Sequence, residues 1–238
     1  MLPSLIVTIV LVILLLVIRS YRNQKQRNEN IKSVTTLDRG TASERYAIAN
    51  LVKVGINPKA IFHDLYFGIG HNEFAQIDLV IATKVGIIVV EVKDYSGWIF
   101  GNAKQKYWTQ VLAYGRERHR FYNPIMQNTS HINAIKQQLT QFQSIPFFSI
   151  IVFDGNCRLR EINNIPPNTY VAYTEQLTQI IYHITTHNTP ALYTNKTAII
   201  NLFKAAMESG TNEYIIQTHI NNIRNRHPYN INHHKYNY

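Results

Sequence analysis

The chain has 238 residues and a mass of 27.6 kDa, which suits one domain with appended segments and excludes a large multidomain enzyme. Hydrophobic residues form 45% of the sequence and aromatic residues 11%, enough to bury a core, so a wholly disordered or collagen-like chain is also excluded. The only cysteine, Cys157, excludes an intramolecular disulfide and a zinc site built from several thiolates.

The formal net charge of +10 belongs mainly to the two ends of the sequence. Residues 19–32 carry about +4 and residues 222–238 about +3, which leaves about +3 for the long central part. The pI of about 9.6 is therefore weak evidence that the central part binds nucleic acid. Residues 223–238 are rich in His, Asn and Tyr, and we expect a disordered basic tail there rather than a metal-binding tract.

Residues 1–18 have the composition of a membrane anchor. Residues 2–18 contain no charge and would form a helix of about 26 Å, slightly shorter than a hydrocarbon core of roughly 30 Å. A cleaved signal peptide needs a basic region before the apolar segment and a small-x-small site after it, and Arg19-Ser-Tyr-Arg22 follows instead. We therefore expect an uncleaved, single-pass transmembrane helix.

Residues 19–38 are basic and polar and show no apolar period, so we expect a linker next to the membrane. Its cations would attract anionic lipid headgroups. Because the basic residues follow the apolar segment, the positive-inside rule predicts that the body of the protein lies in the cytoplasm.

The folded part is expected to open with a helix that has Ser43 as its N-cap and ends at Gly55. Three strands should follow, at residues 60–67, 74–83 and 86–92. The third contains the continuous apolar run IIVVEV, which predicts a position at the centre of a sheet covered on both faces.

The later part of the sequence predicts further strands and helices in alternation. They are a hairpin of residues 95–102 and 107–113, a helix from 123 to about 142, strands at 146–154 and 170–173, and helices at 174–183 and 198–207. The fold class is therefore α/β, with a central mixed sheet flanked by helices and preceded by one transmembrane helix.

Three ionisable residues lie on the predicted central strands. Asp78 interrupts an otherwise apolar strand, and the spacing of Glu91 and Lys93 puts both side chains on one face of the next strand. Two acids on neighbouring strands beside a lysine are typical of a Mg²⁺ or Mn²⁺ site for phosphodiester hydrolysis. The alternative is an ordinary ion pair of Glu91 with Lys93 and a turn capped by Asp78, since D…ExK is a short pattern with many chance matches.

A longer set of motifs resembles a known family. The motifs are Gly40-Thr-Ala-Ser-Glu44-Arg45, Gln76-Ile-Asp78-Leu-Val80, Gly86-Ile-Ile-Val-Val-Glu91-Val-Lys93-Asp-Tyr-Ser-Gly97, Trp108, and Asn123-Pro-Ile-Met-Gln127-Asn-Thr-Ser-His131. In order and spacing they are similar to the NERD (nuclease-related) domain, which is grouped with the PD-(D/E)xK restriction-endonuclease-like fold. The resemblance covers residues 40–153, about half of the chain.

The resemblance implies a role for each matching residue. Asp78 and Glu91 would bind the metal, Lys93 would be the catalytic lysine, and Glu44 would reach the site as a further acid. Gln127 and His131 match the helical Q-x3-H motif of the family. Their i, i+4 spacing puts both on one helix face, where they could contact a metal-bound water or a substrate phosphate.

Other residues have two interpretations each. Arg116, Arg118 and Arg120 could bind phosphates near the site, or they could lie in a solvated loop. The aromatic rings of Trp98, Tyr107 and Trp108 are expected to pack in the sheet rather than to stack on bases. Cys157 is expected to be a structural or exposed thiol.

The sequence thus predicts a membrane-anchored, Mg²⁺-dependent nuclease in the cytoplasm that hydrolyses DNA in preference to RNA. The alternative is a non-catalytic scaffold that holds nucleic acid or a nucleotide at the membrane. The expected organisation is an anchor (1–18), a linker (19–38), a nuclease-like domain (39–155), a C-terminal extension of that domain (156–222) and a tail (223–238).

Overall fold

The structure, a computed structural model, describes residues 2–226. Its helices are α1 (Leu2–Lys32), α2 (Ala42–Lys53), α3 (Pro124–Lys136), α4 (Leu177–His187), α5 (Lys196–Ser209) and α6 (Glu213–Arg226). Its strands are β1 (Ile61–Gly70), β2 (Glu73–Thr83), β3 (Gly86–Asp94), β4 (Gly97–Asn102), β5 (Tyr107–Leu112), β6 (Glu117–Tyr122), β7 (Phe147–Asp154), β8 (Cys157–Asn163) and β9 (Thr169–Tyr173).

The first sheet has five strands in the order β1-β2-β3-β7-β9, and its centre is β3. Strands β1, β2 and β3 are antiparallel neighbours, whereas β7 and β9 run parallel to β3. One face is covered by apolar side chains of α2 and α4, and the other by those of α3 and α5. Every residue of β3 from Gly86 to Val92 is buried. The predicted α/β fold class and the central position of this strand are confirmed.

A second sheet, with the order β6-β5-β4-β8, packs against β7. Trp108 of β5 is 1% exposed and its ring is stacked on that of Phe153 at 6.3 Å between centroids, which confirms the predicted packing role. Two of its strands, β6 and β8, were not predicted because arginines alternate along them. Of the two alternatives for Arg116, Arg118 and Arg120, the solvated loop is wrong from residue 117 onward, since residues 117–122 form the edge strand β6.

The chain after residue 155 contributes to both sheets. Strand β8 pairs in parallel with β4, and β9 pairs in parallel with β7. Helix α5 then covers the face of the first sheet that α3 also covers, through Phe203 against Phe62 of β1. Residues 156–209 therefore complete the fold. Residues 223–226 of the expected tail belong to α6, and residues 227–238 lie outside the described residues.

The segment expected to be a linker, residues 19–38, is helical as far as Lys32, because α1 continues through it. Its residues include no Gly or Pro, and extending an existing helix avoids the cost of nucleation. The end of α1 packs against α2: Ile31 is buried, and Asn30 Nδ2 donates to the Ala49 carbonyl at 3.3 Å. Because so few of these side chains are buried, the segment shows no apolar period.

Two helix ends also differ from expectation. Thr41, not Ser43, is the N-cap of α2, and its Oγ1 accepts from Glu44 N at 3.2 Å. Ser43 lies inside the helix and donates to Asp94 at 3.1 Å. Helix α3 ends at Lys136, since Phe142 belongs to a separate 3₁₀ turn, Thr140–Gln143.

The N-terminal part of α1 is long and apolar enough to cross a membrane. The candidate span is Ile6–Lys32; an 18-residue window in it has a mean hydropathy of 1.9, and the apolar side chains of residues 6–18 are exposed. These are properties of length and composition, and a signal sequence near an N-terminus shares them.

The buried Cys157 thiol yields a test of the fold. Burial raises the pKa of Cys157 from its ordinary value of 9.0 to about 11. At pH 8 the thiolate fraction should then be about 100-fold lower than in the unfolded chain. We expect a thiol-reactive chromogenic disulfide to label the folded protein at least that much more slowly than the protein in guanidinium. Equal rates would show that β8 does not bury this side chain against β4.

Candidate active site

The two predicted metal ligands lie on adjacent central strands, where β2 and β3 begin to separate. Their pairing runs to Leu79 opposite Val90, which places Asp78 opposite Glu91 in register. Asp78 Oδ2 accepts from the backbone N–H of Val92 at 2.8 Å. Both carboxylates are buried, at 2% exposure for Asp78 and 1% for Glu91. The strands thus bring two carboxylates together in a nearly dry environment.

Glu91 has a positively charged or titratable partner for each of its oxygens. Lys93 Nζ lies 2.6 Å from Oε1, as expected for two residues on one face of a strand. His131 Nε2, from α3, lies 3.3 Å from Oε2. Gln127 Oε1 accepts from Lys93 Nζ at 3.0 Å. The structure therefore brings Glu91, Lys93, Gln127 and His131 into one contact network.

Hydrogen bonds from two asparagines attach helix α3 to both sheets. Its N-cap Asn123 accepts from Ile125 N at 2.9 Å and donates to the carbonyls of Ala103 and Gln105 in the β4–β5 turn. Asn128 donates to Val89 O at 2.9 Å and to Ser149 Oγ at 2.8 Å. Asn128 was not predicted as a site residue, although a polar residue on the sheet-facing side of an amphipathic helix is a detectable signal.

Glu44 lies at the start of α2 and is held by a buried histidine that the sequence analysis missed. Its Oε2 lies 3.0 Å from His63 Nε2 of β1, and its Oε1 accepts from Thr41 Oγ1 at 3.0 Å. Thr35 Oγ1 contacts the other ring nitrogen of His63 at 3.0 Å. Gly40, at φ +68°, packs so closely here that a side chain would overlap Glu44 and His63.

A second ion pair fixes the segment before α2. Arg39 Nε donates to Asp64 Oδ2 at 2.9 Å, and its Nη2 donates to the carbonyls of Asp64 and Met207. Asp64 has a left-handed backbone, with φ +56°, and also accepts from Gln76 Nε2 at 2.8 Å. Its register places it opposite Asp78, but its carboxylate binds Arg39. No local sequence signal predicts this pair, because its members are far apart in the chain.

The donor set fits Mg²⁺ or Mn²⁺ better than a metal that needs many protein ligands. Among residues 2–226 no group of three or more His, Cys, Asp or Glu side chains is placed to hold a metal ion. Mg²⁺ is usually bound through one or two carboxylates together with water and substrate phosphate. The buried pair Asp78 and Glu91 is such a set.

The three arginines predicted to contact nucleic acid lie apart from this network. Arg118 and Arg120 are exposed on β6, and Arg116 is exposed just before it. The guanidinium of Arg120 lies 5.0 Å from the centre of the Tyr107 ring. Within the described part of the chain, none of the three contacts the carboxylates of Asp78 or Glu91.

Comparisons with known proteins agree with this geometry. The family model described as nuclease-related domain (NERD) matches residues 39–154, which include every site residue discussed so far except Thr35 and Met207. A protein of Bacillus anthracis described as uncharacterized is 30% identical over 154 residues, which are 65% of this chain and 71% of that protein. No solved structure matches the chain. On these matches, the chain belongs to the family of proteins that carry the nuclease-related domain.

Proposed function

We propose that the protein is a membrane-anchored, metal-dependent nuclease that hydrolyses phosphodiester bonds in nucleic acid, DNA in preference to RNA. The observation that carries the proposal is the buried network of Glu91, Lys93, Gln127 and His131 with Asp78 opposite Glu91. A carboxylate pair that can hold a metal, beside a lysine that stabilises negative charge, is one arrangement that supports phosphodiester hydrolysis.

Lys93 is proposed as the catalytic lysine. Its side chain is 13% exposed, so the ammonium reaches the border between the buried carboxylate and solvent. Contacts to Glu91 and to Gln127 fix its position before substrate arrives. Such a fixed cation can orient an attacking water and stabilise the negative charge that develops on the phosphate oxygens.

Asp78 and Glu91 are proposed to hold Mg²⁺ or Mn²⁺, which when bound supplies a Lewis acid and a water of lowered pKa. Gln127 uses its oxygen to accept from Lys93, so its amide N–H groups can donate to a substrate phosphate. His131 of α3 places its Nε2 3.3 Å from Glu91 Oε2, and we propose that this contact fixes the orientation of the carboxylate. The role of Glu44 as a further acid stays a prediction, since it pairs with His63.

A non-catalytic scaffold for nucleic acid or a nucleotide is the second candidate. It is favoured by one observation, that both oxygens of Glu91 already face Lys93 and His131. The charge of such a carboxylate is balanced by Lys93 without a metal, as in a structural ion-pair network. Binding of a divalent cation and cleavage are therefore tested separately.

The first test is cleavage by the full chain in detergent. Labelled single- and double-stranded DNA and RNA are incubated with Mg²⁺, Mn²⁺ or EDTA. Lys93→Met should lower the metal-dependent rate by about 100-fold or more, because it removes the cation from the developing charge. Lys84→Met is the matched control, since exposed Lys84 precedes the opposite end of β3. Equal rates for the two variants would contradict the assigned role of Lys93.

The second test is stabilisation by the metal alone, in the absence of nucleic acid. A cation at 100 times its dissociation constant stabilises the folded chain by about 2.7 kcal/mol. For a chain of this size we expect the unfolding midpoint to rise by about 5–10 °C with Mg²⁺ or Mn²⁺. Asp78→Asn keeps an oxygen to accept from Val92 N but removes the charge, and it should abolish the rise.

Glu208→Gln, an exposed change on α5, should leave that rise intact. No stabilisation of the folded wild type by either cation would contradict the metal site. Stabilisation of the chain by a cation, without cleavage of nucleic acid, would support the scaffold function over the nuclease function.

The third test concerns the anchor. The full chain should remain with membranes after alkaline carbonate washing and should keep the mass of the uncleaved sequence. The double variant Leu11→Lys with Leu14→Lys raises the free energy of membrane insertion by about 2.5–3.5 kcal/mol for each lysine at a helix centre. It should therefore release the chain from the membrane. Gln24→Lys, beyond the apolar segment, is the control. A chain shortened at its N-terminus would instead indicate a cleaved signal sequence.

A further inference from the structure

The second sheet has an outer face that faces away from the core. Alternate residues of its strands, such as Ile99, Trp108, Phe121 and Cys157, point inward and are buried. The residues between them point outward. We call this outer set the arginine–aromatic face, and it consists of Trp98, Tyr107, Arg118, Arg120, Arg158 and Arg160.

Strand pairing places aromatic rings in the middle of this face and arginines at its two edges. Trp98 of β4 is paired with Val111 on one side and with Arg158 of β8 on the other. Val111 is in turn paired with Arg118 of β6. A row therefore runs across all four strands with a guanidinium at each end. The four arginines are exposed, and the Trp98 and Tyr107 rings are half-buried.

Two of the four arginines lie over the rings, and within the described residues none of the four forms an ion pair. The guanidinium of Arg160 is 4.9 Å from the centre of the Trp98 ring, and that of Arg120 is 5.0 Å from the centre of the Tyr107 ring. Only two acidic residues, Glu117 and Glu161, occur on the four strands, against four arginines. This surface thus has a local excess of positive charge, which is not evident from the low net charge of the central part of the sequence.

We infer that the arginine–aromatic face binds single-stranded nucleic acid, with arginines on the phosphates and bases stacked on the rings and on guanidinium planes. Flat aromatic side chains on a sheet, flanked by cations, are the features by which single strands are bound without sequence preference. A duplex hides the faces of its bases in its own stack, so it can use the arginines but not the rings.

An anionic membrane surface fits this face less well. Interfacial aromatic residues insert as projecting side chains, whereas the Trp98 and Tyr107 rings are half-buried in the sheet beneath guanidinium groups. Flat rings that already carry a planar cation present a stacking surface, which a base can take over when the arginine moves to a phosphate.

Short connections join the sheet that carries this face to the elements of the candidate active site. Residues 95–96 alone separate β3, which carries Glu91 and Lys93, from β4. Strand β6 leads through Asn123 into α3, which carries Gln127 and His131. We thereby propose that the nuclease acts on single strands. This part rests on the proposed function, because only a nuclease would cleave the bound strand. Binding itself requires no metal.

Binding is measured with the full chain in detergent and EDTA, by fluorescence anisotropy of labelled oligothymidylate, oligouridylate and a DNA duplex. Both single strands should bind at least about fivefold more tightly than the duplex, because only they can stack. In a further arm without detergent, the full chain is held in phosphatidylcholine nanodiscs and mixed with vesicles containing phosphatidylserine. Binding to these vesicles that the face variants weaken, without binding to either single strand, would assign the face to a membrane and overturn the inference.

Two double variants separate stacking from charge. Trp98→Leu with Tyr107→Leu keeps apolar side chains, and should weaken single-strand binding by about fivefold or more while leaving duplex binding unchanged. Arg118→Gln with Arg158→Gln should weaken binding to every form. It should also reduce the slope of log affinity against log salt for a single strand by about 1.4, because two phosphates are then no longer neutralised by arginine.

Lys84→Gln with Lys204→Gln removes the same charge from exposed positions elsewhere and is the matched control. Equal losses in this control and in the arginine variant would overturn the inference, since the binding would then depend on net charge alone. Because these measurements exclude metal and cleavage, a failure here is distinct from a failure of the nuclease proposal. Circular dichroism of each variant verifies that the sheet is folded.

Discussion

Glu91 is the buried charge on which the arrangement of the domain depends. At 1% exposure, an unpaired carboxylate at the centre of the sheet would cost several kcal/mol. Lys93 comes from the same strand, but His131 comes from α3 and reaches Glu91 only if that helix docks at one height on β3. Asn128 sets this height through its hydrogen bonds to Val89 and Ser149. The electrostatic requirement of one side chain thus determines how a whole helix packs.

The second sheet also fixes the position of α3, at the N-terminal end of the helix. Asn123 caps the helix while it donates to the β4–β5 turn, so the position of that turn determines where the helix begins. The stack of Trp108 on Phe153 holds this sheet against β7. A hydrophobic contact therefore positions Gln127 and His131, although neither residue touches it. Removing the ring would disturb the site through α3 as well as through reduced burial.

The sequence was most informative where periodicity and burial coincide. The apolar run before Glu91 located the central strand, and strand alternation predicted the contact of Glu91 with Lys93. Local patterns failed where polar side chains cover a regular backbone, as in β6, β8 and the end of α1. They also failed for pairs made by the fold. Arg39 and Asp64, or Glu44 and His63, meet only after distant segments pack, and no single-sequence spacing specifies that.

The distance between the arginines and the carboxylates has a physical rationale in the proposed reaction. A guanidinium beside Asp78 or Glu91 would form an ion pair with it and weaken its attraction for a divalent cation. Phosphate affinity nevertheless requires several cations. Placing Arg118, Arg120, Arg158 and Arg160 on a separate sheet supplies that affinity and leaves Lys93 as the cation at the carboxylates. The short connection from β3 to β4 links the sheet that carries these arginines to the strand that carries Glu91 and Lys93.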